Sequence, residues 1–300
     1  MLVAAAVMAA ALTTAVAGCS TPQKGPDAAR QAREVRALTD AEQLGISDAE
    51  QRLIKRCMNG HGFQFWEAER LSLEESRTIG YVDDDVDWAR RHGYGSRIEA
   101  KMERARKANA NVAYRKSLSA ERRAAYDIAL DGGPDAPVIS ANIPGGGTIR
   151  KRVGGCVVRA EKQLYGDVAA WFRAEKTVMN LRPLYVPQVM RDKTFTTALK
   201  AWARCMKRAG YPYPDPEAAR QAARQQAQGA PPDQAFGAER QLAVADATCA
   251  RDTSLRAIGS ARETFYVNKL RDRYGEALDT SRLIQREALA RAMTIVGPRA

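Results

Sequence analysis

The side chains able to do chemistry are unevenly supplied: 35 carboxylates and five cysteines, but only two histidines, His61 and His92. Histidines so placed do not form the H-E-x-x-H motif of zinc proteases. Cys57 and His61 stand four apart, a helical spacing that lets both reach one metal ion. Asp83, Asp85 and Asp87 match the opening of a calcium loop, but Trp88 stands where that loop needs glycine and Tyr94 where it needs a bidentate glutamate. At the head of residues 86–95 these aspartates are better placed to cap a helix and offset its dipole. Gly145-Gly146-Gly147 lacks the Gly-Lys-Ser/Thr ending of a phosphate loop, and the chain has no G-x-S-x-G elbow. Phe63, Phe65, Trp66, Tyr211 and Tyr213 can line a ligand pocket or fill a core; in a chain with 7% aromatics they are expected in the core. No catalytic constellation, metal set or cofactor motif emerges. The chain is read as a non-enzyme.

The elements that must position these residues are helical. Thr39-Asp40-Ala41-Glu42, Ser47-Asp48-Ala49-Glu50 and Ser72-Leu73-Glu74-Glu75 each match a capping box, in which two side chains satisfy the first free amides of a helix. Ser119 is set to cap a helix that runs to Leu130 and stops at Gly132-Gly133-Pro134. Residues 134–155, rich in glycine, proline and β-branched side chains, read as a long loop or a short β-hairpin. Helical patterning resumes at Cys156, and Pro183 and Pro187 interrupt it. Residues 192–209 form one helix closed by Gly210, and Asp215-Pro216 opens the next. No proline occurs between Pro232 and Pro298, a stretch with apolar residues at near-helical intervals.

Composition agrees. Hydrophobic residues are 45% and charged residues 27%, the balance of a folded chain and not of a disordered or polytopic membrane protein. The net charge is +12 and it is unevenly placed: residues 1–150 carry 21 basic and 20 acidic side chains, residues 151–300 carry 26 and 15.

Residues 1–18 are uncharged and apolar from Leu2 to Ala17, too short to span a bilayer and right for the apolar region of a signal peptide. They end in Val16-Ala17-Gly18-Cys19, which resembles the lipobox of bacterial lipoproteins. The resemblance implies that Cys19 carries a diacylglyceryl group and becomes the N-terminus after cleavage. Two acyl chains then give stable anchoring. No Lys or Arg precedes the apolar run, so the translation start is expected a few codons upstream of Met1. Residues 19–38 serve as a tether. The chain as a whole resembles uncharacterised secreted lipoproteins of high-GC Gram-positive bacteria, and its arginine excess (35 Arg, 12 Lys) fits such a genome. Glu75-Ser76 resembles the Glu-Ser pair of lytic transglycosylases, but Ile79-Gly80-Tyr81-Val82 replaces the Gly-Leu-Met-Gln signature of that family.

An internal repeat divides the remainder. Cys57-Met58-x-x-x-Gly62-Phe63-x-Phe65 matches Cys205-Met206-x-x-x-Gly210-Tyr211-x-Tyr213. Each copy is followed by a second cysteine, Cys156 or Cys249, and then by a glycine ten residues on, Gly166 or Gly259. Ala209 stands where His61 does, which argues against a metal on Cys57. With Cys19 lipidated, four cysteines remain in an oxidising compartment. The repeat selects Cys57–Cys156 and Cys205–Cys249 among three possible pairings, each bridge tying a helix end to the following helix. Gly154 and Gly155 are expected to allow the close backbone approach at Cys156.

The expected fold is all-α: a helical bundle of two pseudo-repeated halves, 39–166 with a loop at 131–155 and 167–300 with a long C-terminal helix. The expected function is a lipid-anchored, non-catalytic binding, scaffolding or accessory module on the outer face of the cytoplasmic membrane. Its basic half, 151–300, would meet anionic lipid or wall polymer, with no role for nucleic acid. The alternatives are a cell-wall hydrolase or transglycosylase-like enzyme and a solute-binding lipoprotein of a transporter. The latter class has two α/β lobes, and no βαβ rhythm is present.

Overall fold

A computed structural model describes residues 36–297. The leader, the lipobox with Cys19 and most of the tether lie outside the described residues. Within them the chain forms thirteen helices and one hairpin. The first half holds α1 (Asp40–Gly60), α2 (Val86–His92), α3 (Ser96–Lys107), α4 (Ala110–Ser117), α5 (Ala120–Asp131), β1 (Val138–Asn142), β2 (Thr148–Arg152) and α6 (Gly155–Tyr165). The second holds α7 (Val168–Met179), α8 (Arg182–Arg191), α9 (Lys193–Arg208), α10 (Pro216–Ala227), α11 (Pro232–Asp252), α12 (Leu255–Lys269) and α13 (Arg271–Val296). The fold is mostly α, as expected. No described helix is long and apolar enough to cross a membrane.

Of the three capping-box sequences, only the first opens a helix. Thr39 and Glu42 form a complete capping box at α1. The bond from Arg36, with the Thr39 amide, pulls the Glu42 carboxyl down to about 2. Ser47 caps nothing: α1 is already under way and propagates through it, since adding a residue to an existing helix is far easier than nucleating one. Ser72 and Glu75 make both bonds of a capping box, yet they close an isolated turn with no helix behind it. Pro183 opens α8 and Pro187 lies inside that helix and does not end it, because buried Tyr185 and Val189 hold the segment against the core. The run from Pro232 to Pro298 breaks twice without proline, at Ser254, whose φ of 53° is left-handed, and at Leu270. Gly259 and Gly275 continue their helices.

The segment 134–155 contains the hairpin, with Val138 paired to Arg152 and Asn142 to Thr148. Gly145, Gly146 and Gly147 all have positive φ in its tip, a region that only glycine enters without strain. β1 packs on α7.

Two cores result. Ile46, Leu53 and Met58 of α1, Tyr126 of α5 and Cys156 and Leu164 of α6 form one, completed by Ala288 and Ala292 of α13. The other gathers Tyr185, Phe195, Trp202, Met206, Leu242, Leu255 and, again from α13, Leu278. The C-terminal helix therefore enters both cores and packs on α1, α6 and α7. In the opposite sense α2 packs chiefly on α11, Val86 and Ala89 meeting Ala243 and Ala247.

Candidate functional site

The repeated Cys-Met segments build the same object twice. At the end of α1 the Gly62 amide donates to the Asn59 carbonyl (3.0 Å) and the Phe63 amide to the Met58 carbonyl (3.0 Å). At the end of α9 the Gly210 amide donates to Lys207 (3.1 Å) and the Tyr211 amide to Met206 (2.9 Å). Both are Schellman closures, with the glycines at φ +75° and +89°. Met58 and Met206 are 0% exposed, and the cysteine before each is disulfide-bonded. The bridges are Cys57–Cys156 and Cys205–Cys249, each with a Cα separation of 5.6 Å.

The likeness ends at the second cysteine. Cys156 lies in the first turn of α6, whereas Cys249 lies in the last turn of α11. Neither bridge reaches the next helix: α2–α5 and the hairpin intervene in one case, α10 in the other. Gly166 closes α6 with positive φ, while Gly259 is mid-helix and packs against Phe195. Gly154 and Gly155 do permit a close approach, but to the end of α5: a Cβ on Gly155 would sit 2.4 Å from the Leu130 carbonyl oxygen.

Cys57, His61 and Cys156 place their ligand atoms within 4.8 Å of one another. Both sulfurs are spent in one S–S bond, so no thiolate is available and His61 alone can donate. His61 borders a cleft of about 570 Å³ beside the cystine, with Arg122 and Arg159 on its walls. Arg122 lies over the Phe63 ring at 4.5 Å and donates to the Gly62 carbonyl at 3.2 Å.

Of the aromatics, Phe63 is buried edge-on against Tyr126 at 5.4 Å, and Phe65, Tyr211 and Tyr213 pack on the cores. Trp66 is the exception at 39% exposed. Asn111 clasps its backbone, accepting from the Trp66 amide and donating to its carbonyl, both at 2.8 Å.

The aspartates at the head of α2 do structural work. Asp85 accepts from the Trp88 amide at 2.9 Å and pairs with Arg77; Asp83 pairs with Arg77, and Asp84 with Arg256 at 2.8 Å. His92 packs on the Trp88 ring at 4.9 Å. Glu75 is held by Lys101 at 2.8 Å.

Two clusters carried no local signal. Glu50, Glu161 and Glu175 meet Lys151 and Lys176 in a cleft of about 350 Å³, beside the stacked rings of Tyr165 and Trp171 (4.4 Å). Lys151 pairs with Glu161, and Lys176 with Glu175 at 2.9 Å. Burial, helped by the charge on Glu161, raises the Glu50 carboxyl. The second cluster lies where α2 meets α11. Glu239 accepts from the amides of Tyr94 (2.7 Å) and Ser96 (3.2 Å) and from the Ser96 hydroxyl. Asp246, 2% exposed, accepts from the Tyr94 hydroxyl at 3.1 Å and from Trp202 Nε1 at 3.0 Å. Burial pushes its carboxyl up to about 6, against the opposing charge of Arg220. These partners lie 44 to 152 residues apart, so no spacing rule finds them. In the first cluster Glu161 and Glu175 pair with lysines while Glu161 Oε2 keeps no hydrogen bond, and in the second Arg220 leaves Nε and Nη2 buried without one. No protein-family model, curated protein or solved structure matches the chain.

Proposed function

We propose that the protein is a lipid-anchored module on the extracytoplasmic face of the membrane, acting there by binding or scaffolding and not by catalysis. One observation carries the reading. Four of the five cysteines are consumed in two disulfides, the pattern of an oxidising compartment, and the fifth is Cys19 at the end of the lipobox-like Val16-Ala17-Gly18-Cys19. Intact mass measurement of the native protein tests it. A diacylglyceryl adduct on Cys19 is expected, together with an unprocessed, unacylated precursor for Cys19→Ala; a wild-type chain without added lipid mass overturns the reading.

A second reading, a hydrolase of wall polysaccharide, is favoured by the raised carboxyl of Glu50 in a cleft that also holds Glu161 and Glu175. A raised carboxyl beside others is what general acid chemistry on a glycosidic bond requires. Release of muropeptides from purified wall by the wild type, abolished in Glu50→Gln, would establish it. The pairing of Glu161 and Glu175 with lysines favours the non-catalytic reading instead.

A further inference from the structure

The charge excess of the second half is concentrated. Residues 176–214 hold eight basic side chains against one acid, Asp192. Five of the eight, Lys193, Lys200, Arg204, Lys207 and Arg208, lie on α9, and all five are exposed. At 100° per residue they fall within an arc of about 100°, and at 1.5 Å rise they form a row about 22 Å long. The opposite face of the helix, Phe195, Ala198, Trp202 and Met206, is buried.

The row has no counter-charge. Asp192 turns inward: it caps α9 through the amides of Thr194 and Phe195 and binds Arg262 (2.8 Å) and the Tyr266 hydroxyl (3.0 Å). α8, packed alongside, contributes Arg182 and Arg191 and no acid. Asp252, near the Cys205–Cys249 bridge, faces Arg251 at 3.8 Å. Among the described residues no carboxylate pairs with any of the five cations.

We propose that this face of α9 docks a linear anionic polymer with phosphate groups along its chain. A single narrow row suits a chain more than a plane. The row also offers nothing to insert into a bilayer: none of the exposed large apolar side chains lies on α9, and the helix's apolar face is committed to the core. Lysine and arginine are the usual phosphate ligands, the first as a point charge and the second as a fork. The inference rests on the extracytoplasmic reading only for where such a polymer would be met.

Long-chain inorganic polyphosphate is the probe, titrated into the full chain in neutral detergent. By counterion release, five contacts give an affinity that falls roughly 100-fold between 50 and 200 mM salt. Lys200→Ser/Arg204→Ser/Lys207→Ser should reduce that dependence to roughly 10-fold and weaken binding at low salt. Lys200→Arg/Lys207→Arg should retain both. A control with the same charge loss elsewhere, Arg152→Ser/Arg159→Ser/Lys162→Ser, should leave both nearly unchanged. No binding by the wild type, equal losses in the two triple variants, or tighter binding to phosphatidylglycerol micelles than to polyphosphate would overturn the proposal. Lipid on Cys19 is read by mass on the same preparations, so failure of the anchor and failure of the docking row are separable.

Discussion

Asp246 shows what a single side chain can do to the stability curve. Its carboxyl titrates at about 6 in the fold, against about 3.9 in an unfolded chain. Between those values the native state holds a proton that the unfolded state has lost. Stability attributable to this group therefore falls as pH rises from about 4 to about 6, then levels. Asp246→Asn keeps an acceptor for Trp202 Nε1 and cannot ionise. Its stability relative to wild type should improve steadily across that window, as measured by denaturant unfolding at pH 4, 5, 6 and 7. A difference that stays constant with pH would mean that Asp246 does not carry the shifted titration. Carboxylates paired with a cation, such as Glu42, drawn down to about 2 by Arg36, act in the opposite sense and at lower pH, which is why the comparison with the variant isolates Asp246.

The two Schellman closures and the two cystines act on whole elements. In the chain-entropy description, bridging residues 99 apart constrains the unfolded chain by about 4.7 kcal/mol, and residues 44 apart by about 4 kcal/mol. Glycine serves different ends near them. At Gly210 the need is backbone conformation alone: φ is +89° and nothing lies within 4 Å of an added Cβ. At Gly155 φ is +71° and an added Cβ also meets the backbone of Leu130 and Gly132. Gly210→Ala should cost about 1 kcal/mol. Gly155→Ala should cost a further 1–3 kcal/mol or so, because α6 cannot stay seated on the end of α5. Denaturant unfolding of the two variants measures this, and equal losses would contradict the packing at Gly155.

At the scale of the molecule, the sequence halves trade material. α13 supplies Ala288 and Ala292 to the first core, and the turn between α2 and α3 wraps the Glu239 carboxylate of α11, with Gly93 leaving no room for a Cβ beside it. Residues 39–166 expressed alone would expose the α1 and α6 surfaces that α13 covers, and would leave α2 without α11. That fragment is predicted to lack a cooperative thermal transition and near-ultraviolet dichroism, whereas the full chain shows both. A sharp, full-chain-like melt of the fragment would refute the interdependence of the halves.

Local chemistry was legible in the chain because it acts over one helical turn. The Thr39–Glu42 box, the caps at Asp85, Ser119 and Asp215, and the stops at Gly132 and Gly210 all follow from satisfying free amides and carbonyls within a few residues. The cysteine pairing was legible for a different reason: the Cys-Met-x-x-x-Gly repeat reduced three connectivities to one. Helix content followed from periodicity. Where the local signals misled at Ser47 and Pro187, an established helix or a buried face outweighed a preference of about 1 kcal/mol at a cap or a few at a proline; at Ser72 both cap bonds form, but no buried apolar face follows to carry a helix. Tertiary structure alone decided which helices the two bridges join, that α13 joins both cores, and that Asp246, Tyr94 and Trp202 share one buried network. Those contacts span 44 to 152 residues or more. Over such distances apolar burial is non-directional, and many pairings of helix faces would satisfy the same pattern.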